Sequence, residues 1–194
     1  MAAAIPATLL PFFVADRLQQ PAWQGVFLLG YFGAAALALP LWLRLIPRRG
    51  LAPVWRLGMA CTVLSFVLTP WLGAGDVWPF FAICLASGAA LGADLAVPGA
   101  LLTGVVHGAR RGEAPDVGLH AGWWAFIGKL SLALAAGLSL PLLQALGYQS
   151  GSRDEQALQA LVLAYAGLPC LLKLAAAATL WWSERQHPEW SACA

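Results

Sequence analysis

The chain has 194 residues, of which 60% are hydrophobic and 10% charged. A soluble domain carries about 25% charged and about 45–50% apolar residues, and a soluble fold of this size has too little interior to hide so much apolar surface. The net charge of +2 argues against a nucleic-acid face, because the basic residues stand in short clusters between apolar runs rather than on one basic patch.

Crossing the hydrocarbon takes about 20 mostly apolar residues. The first apolar run, Ala2 to Val14, is short for a span and stops at Asp16 and Arg17. The second, from Trp23 to Leu43, has no charge, and the third, from Val54 to Leu72, has only Arg56 near its start. The fourth, from Val77 to Val106, carries Asp94 alone. The fifth, from Leu119 to Leu146, carries Lys129, and the sixth, from Ala157 to Trp182, carries Lys173. Lipid cannot satisfy open backbone N–H and C=O groups, so such runs must be helices. They are continuously apolar rather than alternating, which excludes a β-barrel. The expectation is an all-α membrane protein of about six transmembrane helices, one domain over residues 1–183 with a polar tail over 184–194. The N-terminus lacks the positive n-region of a signal peptide, and no clear A-x-A site follows it.

Basic residues set the expected orientation. Arg44, Arg48, Arg49 and Arg56 fall after the second run, Arg110 and Arg111 after the fourth, and Arg185 after the sixth. Only Arg17 and Arg153 fall on the other side. Seven against two predicts both termini, and so the polar tail, in the cytoplasm. Arg44, Arg48 and Arg49 are expected in a cytoplasmic loop, as a topological anchor and gate latch. Gly88 and Gly92 form a small-xxx-small pair, and Ala135, Ala136 and Gly137 a second small patch; both predict close helix packing. Pro40, Pro98 and Pro141 fall within or near helix ends, where proline can kink a helix. Cys61, Cys84, Cys170 and Cys193 form no metal-ligand spacing, and the first three, which lie inside apolar runs, read as small hydrophobes.

Ionisable groups inside a bilayer are costly and face a cavity or a partner. Asp94 and Lys129 both come out roughly 15 Å deep at about 1.5 Å per residue, which is the midplane of a core about 30 Å thick. They lie on consecutive antiparallel helices, so they are expected to pair. Such a pair could be a site for a polar substrate or ion, or an ion pair that pins two helices. Lys173 sits at similar depth, but its long stem can snorkel toward the headgroups. Trp71, Trp78, Trp181 and Trp182 read as interface belts. Trp123 and Trp124 could belong to the belt or stack on a sugar ring, and Tyr31 is assigned with them, Asp94 and Lys129 to a substrate or ion pathway. No GxSxG, HExxH or phosphate-binding Gly loop occurs, and His107, His120, Glu113 and Asp116 lack ligand spacing. The chain does not read as an enzyme, and no metal or cofactor is expected.

The stretch Ala4-Ile-Pro-Ala-Thr-Leu-Leu-Pro-Phe-Phe-Val-Ala-Asp16 resembles the seventh helix of the glycoside–pentoside–hexuronide:cation symporters of the major facilitator superfamily. Pro40-Leu-Trp-Leu-Arg44, ending at Arg48-Arg49-Gly50, resembles the loop joining their helices eight and nine. Gly92-Ala-Asp-Leu-Ala-Val-Pro98 is similar to their tenth helix, and Gly122-Trp-Trp-Ala-Phe-Ile-Gly-Lys129 to their eleventh. The resemblance covers about residues 4 to 183. It implies the C-terminal half of a sugar transporter, built from two inverted three-helix repeats, coupled to Na+ or H+ and placed in a bacterial cytoplasmic membrane. It also implies that an N-terminal half, or self-association, is needed for transport. The chain departs from the family where Thr103-Gly104-Val105-Val106-His107 lacks two expected aspartates, and where Ala125 replaces an Asn. A non-transporting membrane fragment or assembly protein is the alternative.

Overall fold

The computed structural model describes residues 2–108, 117–152 and 154–186. The loop residues Arg110, Arg111, Glu113 and Asp116, together with Arg153, Cys193 and the tail beyond 186, lie outside the described residues. Every described element is helical. Helix α1 is Ala4–Phe12 and runs on as a π-turn, Phe13–Arg17. Then come α2, Gln24–Arg49, α3, Leu51–Val67, α4, Val77–Gly108, and α5, Val117–Ala145. Helix α6, Glu155–Val162, continues through a π-turn, Leu163–Gly167, into α7, Leu168–Gln186.

Five segments are long and apolar enough to cross a membrane: Pro21–Arg49, Leu51–Trp71, Val77–Ala100, Gly122–Ala145 and Glu155–Ser183. These are the second to sixth runs of the sequence. The first is shorter, as expected: Ala4–Arg17 reaches about 21 Å at 1.5 Å per residue, against a core of about 30 Å.

The arginine cluster differs from expectation. Arg44, Arg48 and Arg49 do not form a loop; all three lie on α2, with Arg48 and Arg49 in its last turn. There their charge complements the negative end of the helix dipole. Gly50 alone separates α2 from α3. Its φ of 81° is open to glycine without steric cost, and its N–H bonds the Ile46 carbonyl at 2.8 Å. Arg56 likewise lies inside α3.

Helices α2 and α4 pack along much of their length, and α3 packs on α4. The glycines of α4 explain the first contact. A Cβ on Gly88 would stand 2.2 Å from the Tyr31 carbonyl oxygen, and one on Gly92 would stand 2.9 Å from Trp42. The small-xxx-small pair is thus a backbone crossing between α4 and α2. The second small patch behaves otherwise: Ala135 is buried, but Ala136 and Gly137 are exposed. Helix α5 meets α1, and its buried residues Ala135, Ser139 and Leu143 recur every fourth position, a narrow stripe down one face.

Exchanging the first three helical rods for the last three (α1 for α4, α2 for α5, α3 for α6–α7) turns the α2–α4 contact into the α5–α1 contact. It returns the α3–α7 contact to itself.

One end of the bundle is closed by loops. Gly75 N–H donates to the Leu18 carbonyl at 3.0 Å, and Arg17 Nε donates to the Leu72 carbonyl at 2.9 Å. Asp16 accepts from the Tyr148 hydroxyl and from Gly151 N–H. The ends of α1, α3 and α5 therefore gather on one side, opposite the α2–α3 turn and its arginines. Beneath these loops Phe13, Phe27, Phe80 and Tyr165 form an aromatic core.

Candidate functional site

Toward the other end the core gives way to an open cavity of about 570 Å³. Its charged lining comes from Asp94 on α4 and Lys173 on α7, and Trp55, Met59, Trp124 and Ser131 add to it. The first residues of α1, Ala2 to Ala4, reach the same cavity. Lys173 Nζ donates to Asp94 Oδ2 as an ion pair, and the Trp55 indole N–H donates to Asp94 Oδ1 at 3.1 Å. The two charged side chains are 5% and 19% exposed. An isolated charge at such a place would neutralise itself or find a partner; here each carboxylate oxygen has its own donor.

The expected pairing of Asp94 with Lys129 is therefore corrected to Asp94 with Lys173. Depth could not choose between two lysines at the same level, whereas helix adjacency does. Helix α3 packs on both α4 and α7, which brings Lys173 to Asp94, while α5 packs mainly on α1. Lys129 is exposed on α5. The α5 residues that line the cavity are Trp124, Ile127, Gly128, Ser131 and Leu132, the 3–4 spacing of one helix face. Lys129 lies off that stripe, and so does Trp123, which is exposed and meets Phe126 edge to face at 5.8 Å.

Of the other expected pathway residues, Trp124 lines the large cavity, and Tyr31 lines a second, much smaller one that also holds Asp94 and Lys173. Thr62 and Ser87 line that small cavity as well. Sequence reasoning did not single them out, because a Thr or Ser that bonds its own helix leaves no trace in hydropathy. Trp55 was missed too. Lys173 carried the same signal as Lys129, one cation in an apolar run, and was set aside as able to snorkel. Its Nζ instead turns inward to Asp94.

Residues 1–183 match the family model described as MFS/sugar transport protein. No curated protein and no solved structure matches the chain. The match covers nearly the whole sequence, and its family is one of transporters and not of enzymes. The chain thus belongs to the MFS/sugar transport protein family, as a multi-pass membrane protein of the major facilitator superfamily.

Proposed function

We propose that the chain is the C-terminal, six-helix half of a cation-coupled sugar transporter of the glycoside–pentoside–hexuronide type, and that it works against a second, N-terminal half. The domain is residues 1–183, and the tail 184–194 is cytoplasmic. The membrane is the bacterial cytoplasmic membrane with both termini inside, which rests on the seven-to-two arginine asymmetry. The coupling ion is Na+ or H+, and the sugar enters the cavity beside Trp124.

The observation that carries this reading is Lys129. Its neighbours Phe126 and Leu130, which like it lie off the cavity stripe, are exposed apolar residues, so the ammonium stands on a face that would meet hydrocarbon if nothing covered it. A charge at the centre of a bilayer costs at least about 2.5–3.5 kcal/mol by insertion scales. A partner helix that brings a carboxylate to Lys129 removes that cost. Asp94 cannot serve, because Lys173 already holds it. Trp124 and Ser131 on the next face of α5 then border a space shared between the halves.

The test is uptake of radiolabelled glycosides, pentoses and hexuronates by cells that express the chain alone, the chain with a family N-terminal half, and the same pair carrying Lys129→Met. Uptake is expected only with the pair and is expected to fall at least tenfold in Lys129→Met. Uptake by the chain alone at the same rate, or an unaffected Lys129→Met pair, would refute the two-half reading.

A further inference from the structure

The small cavity next to the ion pair has an unusual lining for an apolar bundle. Its volume is about 10 Å³, about the size that holds one water-sized species. Four oxygen-bearing side chains border it: Tyr31 from α2, Thr62 from α3, and Ser87 and Asp94 from α4. Thr62 and Ser87 are both more than nine-tenths buried. Their hydroxyl protons are already committed within their own helices. Thr62 Oγ1 donates to the Gly58 carbonyl at 3.0 Å, and Ser87 Oγ donates to the Ile83 carbonyl at 2.7 Å. What these oxygens still offer is lone pairs. A carboxylate with three further oxygens, free of sulfur and imidazole, is the donor chemistry of a hard cation. One positive group already stands there, the Lys173 ammonium, which also borders the cavity.

We propose that Asp94, Thr62, Ser87 and Tyr31 form a site for one small alkali cation of the Na+ class, and that Lys173 is its tethered competitor. In the structure the ammonium neutralises Asp94. When Na+ enters, its charge replaces that of the ammonium on the carboxylate, and Lys173 Nζ turns into the large cavity, which it also lines. No bond is made or broken; two cations exchange on one carboxylate. The exchange would alter the large cavity, because Lys173 and Asp94 border both spaces. The role in transport rests on the cation-coupled reading above, whereas the binding itself can be measured without uptake.

The experiment uses the purified full chain in detergent. Binding of ²²Na+ and the thermal unfolding midpoint are recorded in NaCl against choline chloride at equal ionic strength and fixed pH. The wild type is expected to bind Na+ weakly, because Lys173 competes. Lys173→Gln should bind at least tenfold more tightly and gain a Na+-dependent rise in midpoint. Asp94→Asn in the Lys173→Gln background should abolish both effects. Thr62→Val preserves shape and leaves the ion pair in place, and it should raise the half-saturating Na+ concentration about tenfold even with Lys173 present, so the outcome does not depend on Lys173→Gln folding. The proposal is overturned if Lys173→Gln binds no tighter than wild type, if Thr62→Val leaves Na+ binding unchanged or neither it nor the wild type binds Na+, or if acid stabilises Lys173→Gln while Na+ does not. Tight binding in Lys173→Gln without sugar uptake by the paired halves would uphold the site and refute the transport reading instead.

Discussion

Phe13 and Tyr165 stack with ring centroids 4.5 Å apart and planes 19° apart, and each sits in a π-turn, one at the end of α1 and one between α6 and α7. A π-turn carries one extra residue and re-aims the side chains around it, and such turns recur at functional places. Here the two re-aimed rings meet each other and are backed by Phe80 and Phe66. The stack fixes α1 to the last helix just below the loop-closed end.

Phe13 is fully buried, so Phe13→Ala leaves a cavity that membrane lipid cannot reach. The expected loss is about 3–5 kcal/mol, with Phe13→Leu costing distinctly less. Unfolding by SDS titration, followed by helical circular dichroism, measures both. Equal losses for the two variants would mean that ring stacking and volume do not matter at this position.

The α2–α4 crossing gives a sharper contrast within one helix pair. An alanine Cβ at position 88 would meet the Tyr31 carbonyl at 2.2 Å, and that neighbour is backbone that cannot rotate away. Gly88→Ala is expected to cost on the order of 1–3 kcal/mol through forced separation of the helices. Gly33 on α2 has nothing within 4 Å of the added carbon. Gly33→Ala should be neutral or stabilising by up to about 1 kcal/mol, from helix propensity. The same SDS titration compares the two, and a Gly88→Ala protein as stable as Gly33→Ala would refute the close approach.

Much of this architecture was legible in the sequence. Apolar run length located the spans, because lipid leaves helix as the open-ended solution. The Gly88–Gly92 spacing marked a crossing, although not its partner. What hydropathy does not encode is helix rotation and adjacency. Lys129 and Lys173 differ by nothing that a window average can see; the difference is that α7 shares α3 with α4 and α5 does not. The arginines after the second run looked like a loop because charge usually ends a span. Yet α2 continues to Arg49, since arginine is a good helix former. Tyr31 was singled out in the sequence, but the Thr62 and Ser87 oxygens beside it in the small cavity were invisible for a related reason: their value comes from three helices converging.

At the loop-closed end, the Tyr148 hydroxyl donates to Asp16 and the tyrosine is almost wholly buried. Burial first, and then the Asp16 carboxylate that accepts its proton, push the Tyr148 phenol above its ordinary value, which is about 10. A folded-state pKa raised above the unfolded one means that the native state holds its proton more tightly. The contribution is therefore fully present below about pH 10 and is lost as the pH rises above it. Wild-type stability should fall from about pH 10 upward more steeply than that of Tyr148→Phe, which has no proton to lose. Tyr148→Phe should also cost about 1.5–3 kcal/mol at neutral pH, the worth of one hydrogen bond to a charged acceptor. Parallel stability–pH curves for the two proteins would mean that the hydrogen bond does not link α1 to the α5–α6 loop.

The corrected ion pair makes a prediction that separates the two lysines. Removing either partner of the Asp94–Lys173 pair leaves a charge without compensation, at a cost of about 3–5 kcal/mol. Asp94→Asn and Lys173→Met should each show that loss, and the double variant should lose clearly less than their sum, because neither charge is then stranded. Lys129→Met in the chain alone should change stability by no more than about 0.5 kcal/mol, as for a side chain that no helix of this chain covers. Combining it with Asp94→Asn should give a strictly additive result. The measurement is a double-mutant cycle for each lysine against Asp94, read by SDS titration of the purified chain. Coupling of Asp94 to Lys129, with none to Lys173, would place α5 against α4 and undo the helix arrangement on which the site is built.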